Sequence, residues 1–224
     1  MSSIRNFINL AMPQNCAGCG ALYFEVCPSC ALTLNRTAHQ VFVKGVGACG
    51  FKITATAYYE GPAQKILIAA KERNQVALIP VIAKATLAAV LSLLDPVPLS
   101  APLALVPVPS RSSNLRLRGY HLVLQISELV AAQLRMQLVD IQVLPILKHV
   151  RVVNDQSRLS AKQRAINLQN AFTSSSDYGS NQKVREMIIV DDLVTTGSTL
   201  IEARRALLSG GATVRGAACA MSSR

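Results

Sequence analysis

Residues Met187 to Leu200 read MIIVDDLVTTGSTL, and few folds can accommodate them. Met187-Ile-Ile-Val190 is a short apolar run without polar alternation, the pattern of a strand buried on both faces. It meets two carboxylates, Asp191 and Asp192, and then a small, hydroxyl-rich turn, Thr195-Thr196-Gly197-Ser198-Thr199. A helical pattern follows over 200–208 and is stopped by Gly210-Gly211. A strand feeding a glycine turn that opens a helix makes an anion site. The first helical turn leaves backbone N–H groups unpaired, and the helix dipole adds partial positive charge there. Gly197 lets the backbone come close to a phosphate. Asp191 and Asp192 would repel one, so their expected work is on sugar hydroxyls or a hydrated Mg²⁺. A buried strand, an acidic turn and a Thr-capped helix are each ordinary alone, but not in this order and spacing. No Gly-Lys-Ser/Thr follows, so this is not a Walker loop, nor is it the dinucleotide glycine pattern.

Around this segment the chain alternates strand and helix patterns. Strands are expected at 52–59, 103–109, 143–148 and 213–221, and helices at 63–71, 77–94 and 120–136. Such alternation predicts an α/β fold with a parallel sheet covered by helices on both faces, and ligands bound beyond the carboxyl ends of the strands. Pro107 and Pro109 suit a strand end that leads into a loop. That loop, 110–119, carries Arg111, Arg116 and Arg118 and no acid. It is either a solvated basic loop or a pyrophosphate clamp. Lys71 closes an amphipathic helix, where it complements the dipole or reaches a diphosphate. The polar stretch 173–182 is expected to be an exposed loop, and Ser160 can cap a helix within the basic segment 148–164.

Four of the six cysteines form two CxxC pairs, Cys16/Cys19 and Cys27/Cys30, seven residues apart. Each pair can turn two thiolates toward one metal, and two pairs complete a tetrahedral Zn²⁺ shell. The segment has too few large apolar residues to fold alone, so a metal would supply the missing stabilisation. Disulfides, or a redox CxxC, are the alternatives. Cys219 lies in an apolar run and is expected in the core, whereas Cys49 has no assigned role. The segment 1–50, with a short amphipathic helix around Ile4, Phe7, Ile8 and Leu10, is expected to be one unit and 51–224 another.

Half of the 224 residues are apolar, enough for a packed core, and the net charge is +11. Eight basic face four acidic residues in 1–100, and fifteen face eight in 101–224. That excess suits polyanionic ligands such as nucleic acid, or simply a solvated basic surface. No uninterrupted apolar stretch of membrane-spanning length and no secretion signal is legible, so the expectation is a cytoplasmic chain without a membrane span.

The VDDLVTTGST segment closely resembles the phosphoribosyl pyrophosphate (PRPP) loop of type I phosphoribosyltransferases. With the four-cysteine segment, Tyr59-Glu-Gly-Pro62 leading to Lys71, Val106-Pro-Val-Pro109, Leu117-Arg-Gly-Tyr120, and then Gln156, Leu159, Arg164, Asn167 and Ala171-Phe172, nearly the whole chain resembles the ComF/GntX family. The resemblance implies a type I phosphoribosyltransferase fold behind a small N-terminal zinc ribbon. It implies PRPP, with Mg²⁺, or a nucleoside 5′-phosphate as small ligand. It also implies single-stranded DNA and DNA-uptake or recombination proteins as partners, in natural competence. The site it implies joins Asp191 and Asp192 as catalytic residues with Val194, Thr195, Thr196, Gly197, Ser198, Thr199, Lys71, Arg116 and Arg118 as phosphate-binding ones. Where the family reads Arg-Gly-Phe-Asn-Gln, this chain has Arg118-Gly-Tyr-His121-Leu122 and so lacks the amide pair. An active phosphoribosyltransferase of nucleotide metabolism and a non-catalytic zinc-ribbon module remain the competing readings.

Overall fold

The computed structural model describes residues 15–22, 24–43, 51–94, 102–110, 119–150, 170–175 and 186–223. The expected helix near residues 4–10, Cys49, the arginine loop with Arg116 and Arg118, Ser160 and the motif residues Gln156, Leu159, Arg164 and Asn167 lie outside them. In chain order the described elements are α1 (Pro28–Leu34), β1 (His39–Gln40), β2 (Lys52–Tyr58), α2 (Gly61–Glu72), a single 3₁₀ turn (Val76–Leu78), α3 (Ile79–Leu94), β3 (Leu103–Pro107), α4 (Leu122–Arg135), β4 (Ile141–Val143), β5 (Leu147–His149), β6 (Phe172–Ser174), β7 (Glu186–Val194), α5 (Ser198–Ser209) and β8 (Val214–Ser222).

Six strands form the main sheet in the order β1-β2-β8-β7-β3-β4. All are parallel to their neighbours except β1, which pairs antiparallel with β2 at the edge. The expected mainly parallel α/β sheet is therefore what forms. Apolar runs place it: Met187, Ile188, Ile189 and Val190 of β7 are all fully buried, as strands covered on both faces require. One face packs on α2, α3 and α4, through Ile66, Leu67, Ile82, Val90, Ile126 and Leu134. The other packs on α5 and the β5–β6 ribbon, through Leu200, Ala203, Leu207, Leu147 and Phe172. Cys219 is buried in the second core, as its apolar neighbours foretell.

The residues Val76–Leu94 are long and apolar enough to cross a membrane by length and composition. More than half of that stretch is buried within the protein. The Thr54 and Thr56 hydroxyls of β2 donate to the Ala89 and Ala85 carbonyls of α3, at 2.9 and 2.7 Å. These bonds satisfy polar side chains that would otherwise be stranded in the core, and they fix the helix on the sheet.

The strand expected at 143–148 is in fact two. β4 joins the main sheet, whereas β5 leaves it to pair antiparallel with β6. Pro145 lies between them and has no N–H for a ladder. β6 also claims the start of the stretch expected as a loop from residue 173, with Thr173 opposite Lys148. β7 does not stop before its acids but continues to Val194, because β8 keeps offering a partner: Asp191 faces Cys219, Leu193 faces Met221 and Val194 faces Ser222. Backbone pairing is indifferent to the polarity of side chains near a strand's end.

Candidate functional site

The strands do not end together. β3 pairs with β7 only as far as Pro107 opposite Val190. The Val108 N–H adds one more bond, to the Val190 carbonyl at 2.9 Å. Pro107 and Pro109 have no N–H with which to extend the ladder. Residues 191–194 of β7 therefore overhang, paired with β8 on one side and, among the described residues, with no strand partner on the side where β3 has stopped. This overhang carries both carboxylates at the carboxyl edge of the sheet, where open α/β sheets take their ligands.

Side chains alternate along a strand, so the two acids leave β7 on opposite faces. Asp192 follows Ile188 and Val190 toward the first core. It is buried, and its Oδ1 lies 2.7 Å from Lys71 Nζ at the end of α2. Asp191 follows Met187 and Ile189 toward the second core, and its Oδ1 accepts the Asp192 backbone N–H at 2.9 Å. Burial first, and then the charge of Asp192, push the Asp191 carboxyl up to about 7, against the opposing pull of Lys71. Burial, with the two carboxylates next, also holds the Cys219 thiol well above its ordinary range, which makes it an inert core residue. On opposite faces, the acids offer one carboxylate to each side of the strand, and that of Asp192 is already paired with Lys71.

Past Val194 the chain turns through Thr195 and Thr196 to Gly197, the residue preceding α5. Gly197 has φ 72°, a left-handed conformation that suits glycine. A Cβ there would also sit 2.7 Å from the Val43 side chain. Gly197 is thus needed by the fold. Gly197, at the N-cap of α5, has no side chain with which to cap the first turn. Thr196 Oγ1 and Ser198 Oγ are 3.0 Å apart beside it, Thr199 stands in the first turn and is half-buried, and the Thr195 carbonyl accepts the Ser223 hydroxyl at 3.4 Å. Val194 is different: its side chain is buried in the second core and anchors the turn. The structure thus brings Asp191, Asp192, Lys71 and the 194–199 turn to one edge. Arg116 and Arg118 belong to the residues not described.

The four cysteines converge separately. Their sulfurs all lie within 4.8 Å of one another, and none is in a disulfide. A tetrahedral Zn²⁺ with Zn–S bonds of about 2.3 Å needs sulfurs about 3.8 Å apart, and Cys19 and Cys27 are already at 3.6 Å. The Cys27 N–H points at Cys16 Sγ, at 3.3 Å, a bond that favours thiolate. Four sulfurs so placed could hold a metal ion such as zinc. Gly18 makes the knuckle possible, since a Cβ there would lie 2.7 Å from Cys30 Sγ and 3.0 Å from Pro62 Cβ. The knuckle packs directly on α2: Cys16, Cys27, Cys30 and Leu34 share a core with Ala63, Ile66 and Leu67.

One residue near the carboxyl edge, His39, carries no readable signal in the sequence. His39 Nε2 lies 3.0 Å from Ser222 Oγ, and its ring stands 4.7 Å from that of Tyr58. Burial lowers the His39 pKa, keeping the ring neutral. The Tyr120 hydroxyl, in the Arg-Gly-Tyr motif, donates to the Ala70 carbonyl next to Lys71.

No protein-family model matches the chain. It is similar to competence protein F of Haemophilus influenzae, with 28% identity over 214 residues that cover 91% of this chain and 88% of the relative.

Proposed function

From its similarity to competence protein F, we propose that the chain is a ComF-family protein that serves DNA uptake by binding PRPP, or a nucleoside 5′-phosphate, at the carboxyl edge of its sheet and single-stranded DNA on its basic surface. The observation that carries the small-ligand reading is the overhang of β7 leading through Gly197 into the uncapped first turn of α5. The first-turn N–H groups, the dipole of a twelve-residue helix and the hydroxyls of Thr195, Thr196, Ser198 and Thr199 suit a 5′-phosphate. Asp191 and Asp192, six and five residues before Gly197, suit ribose hydroxyls. Arg116 and Arg118 are assigned to the diphosphate. Mg²⁺, when bound with PRPP, would shield the diphosphate charge and ease its departure. The cysteine knuckle is assigned structural zinc, with no open coordination position for chemistry.

The experiment is calorimetry of the zinc-loaded protein with PRPP and Mg²⁺, followed by a screen for pyrophosphate release over nucleobases. Saturable binding without release supports a ligand-binding role in DNA uptake. Release with one base identifies a transferase of nucleotide metabolism. No binding of PRPP or of nucleoside 5′-phosphates overturns the assignment of the turn.

A further inference from the structure

We propose that Lys71 is the chain's own cation at the acidic end of β7, occupying the place at Asp192 that a divalent ion would take, so that a sugar phosphate is gripped here without a metal bridging it to the protein. The inference rests on the sugar-phosphate reading above and concerns how that same site handles charge.

Three observations carry it. The first is placement. Lys71 sits in the last turn of α2, and its Nζ is 2.7 Å from Asp192 Oδ1, a normal length for a charge-assisted bond. The second is enclosure. The Asp192 side chain is 7% exposed and that of Lys71 25%, so the pair is screened from water and neither charge is left to a loose counter-ion. The third is fixity. α2 is wedged into the first core by Ala63, Ile66, Leu67, Ala69 and Ala70, and Tyr120 bonds the Ala70 carbonyl. Lys71 therefore leaves a helix end that is held in position beside the acid.

The direction of the acids leads to the same place. Mg²⁺ is usually held by one or two carboxylates together with water and substrate phosphate; Asp191 and Asp192 leave the strand on opposite faces, and the acid on the α2 side already holds Lys71. A monovalent point charge suits the single carboxylate available on the α2 side. An ammonium also donates hydrogen bonds in several directions, so a ribose hydroxyl or phosphate oxygen arriving at the overhang meets positive charge beside the acid.

The test uses zinc-loaded protein in buffer freed of other divalent ions, with two probes: Mn²⁺ alone, followed by electron paramagnetic resonance, and ribose 5-phosphate, followed by calorimetry. Wild type should show no Mn²⁺ site that Asp192→Asn removes. Its ribose 5-phosphate affinity should agree within about twofold with and without Mg²⁺, whereas Lys71→Met should lose about tenfold or more without Mg²⁺ and recover with it. Lys71→Met should gain an Mn²⁺ site that the added Asp192→Asn change abolishes, and Lys71→Arg should behave as wild type. The proposal is overturned if wild type binds Mn²⁺ at Asp192, if its affinity for ribose 5-phosphate depends on Mg²⁺, or if Lys71→Met matches wild type without Mg²⁺. The wild-type measurements decide this even if Lys71→Met does not fold. If ribose 5-phosphate binds in neither buffer, the sugar-phosphate reading fails, while the Mn²⁺ titration still judges the Lys71 assignment by itself.

Discussion

Asp191 sets the pH response of the edge. Its folded-state pKa, pushed up to about 7 by burial and then by Asp192, lies above the ordinary carboxylate value near 3.9 expected for the unfolded chain. The folded protein thus favours the protonated form. The stabilisation linked to that proton is complete below about pH 4 and is lost as pH rises through about 7. Asp191→Asn mimics the protonated form at every pH. The variant should gain on wild type as pH rises, so the difference in urea midpoint between the two should be larger at pH 8 than at pH 5. Equal differences at the two values would mean that Asp191 titrates normally. Lys71 and Asp192 form an ion pair at 2.7 Å, and removing one leaves the other's charge enclosed without its partner.

At the scale of elements, α2 links the two chemistries of the molecule. Its first turn carries Pro62 against the cysteine knuckle, and its last turn carries Lys71 to Asp192. Glycine and proline at its start suit that end of a helix, and the lysine complements the dipole at the other. Damage to the knuckle should therefore not stay local. Cys27→Ser removes one of four sulfurs and the N–H contact between Cys27 and Cys16 Sγ loses its geometry. Because metal binding and folding are coupled in such segments, with apparent binding free energies on the order of 10 kcal/mol, zinc content should fall from one per chain to near zero. The melting temperature of the whole protein should fall with it, since Cys27 and Cys30 share a core with α2. Elemental analysis and a thermal scan check both halves. A variant that loses zinc yet melts as wild type would show that the knuckle does not brace α2.

For the whole molecule the governing quantity is charge. A net +11, with basic residues in excess in both halves, favours any polyanion, and single-stranded DNA most when salt is low. Binding should be largely independent of sequence, and its affinity should fall with salt at a slope of about −0.7 per phosphate neutralised. Anisotropy of labelled oligonucleotides across a salt series measures this directly. A salt-insensitive affinity, or a strong preference for one sequence, would contradict the electrostatic reading.

The sequence alone determined what depends on spacing along the chain. The paired CxxC motifs name their ligand set, the apolar run and glycine turn name a buried parallel strand opening a helix, and the strand–helix alternation names the fold class. The split between β4 and β5 was not read from the sequence, although Pro145, with no N–H for a ladder, lies between them. Tertiary structure decided whatever depends on register and on the path of elements through space. The acids look like one adjacent pair in sequence, but β7 extends beneath them and alternation sends them to opposite faces. Lys71 and Asp192 are 121 positions apart, and His39 and Ser222 are 183 apart. Such meetings follow from which strands neighbour one another, how far β7 overhangs β3 and how α2 lies in the core. No local pattern encodes them, because each is settled by packing interactions summed over the whole chain.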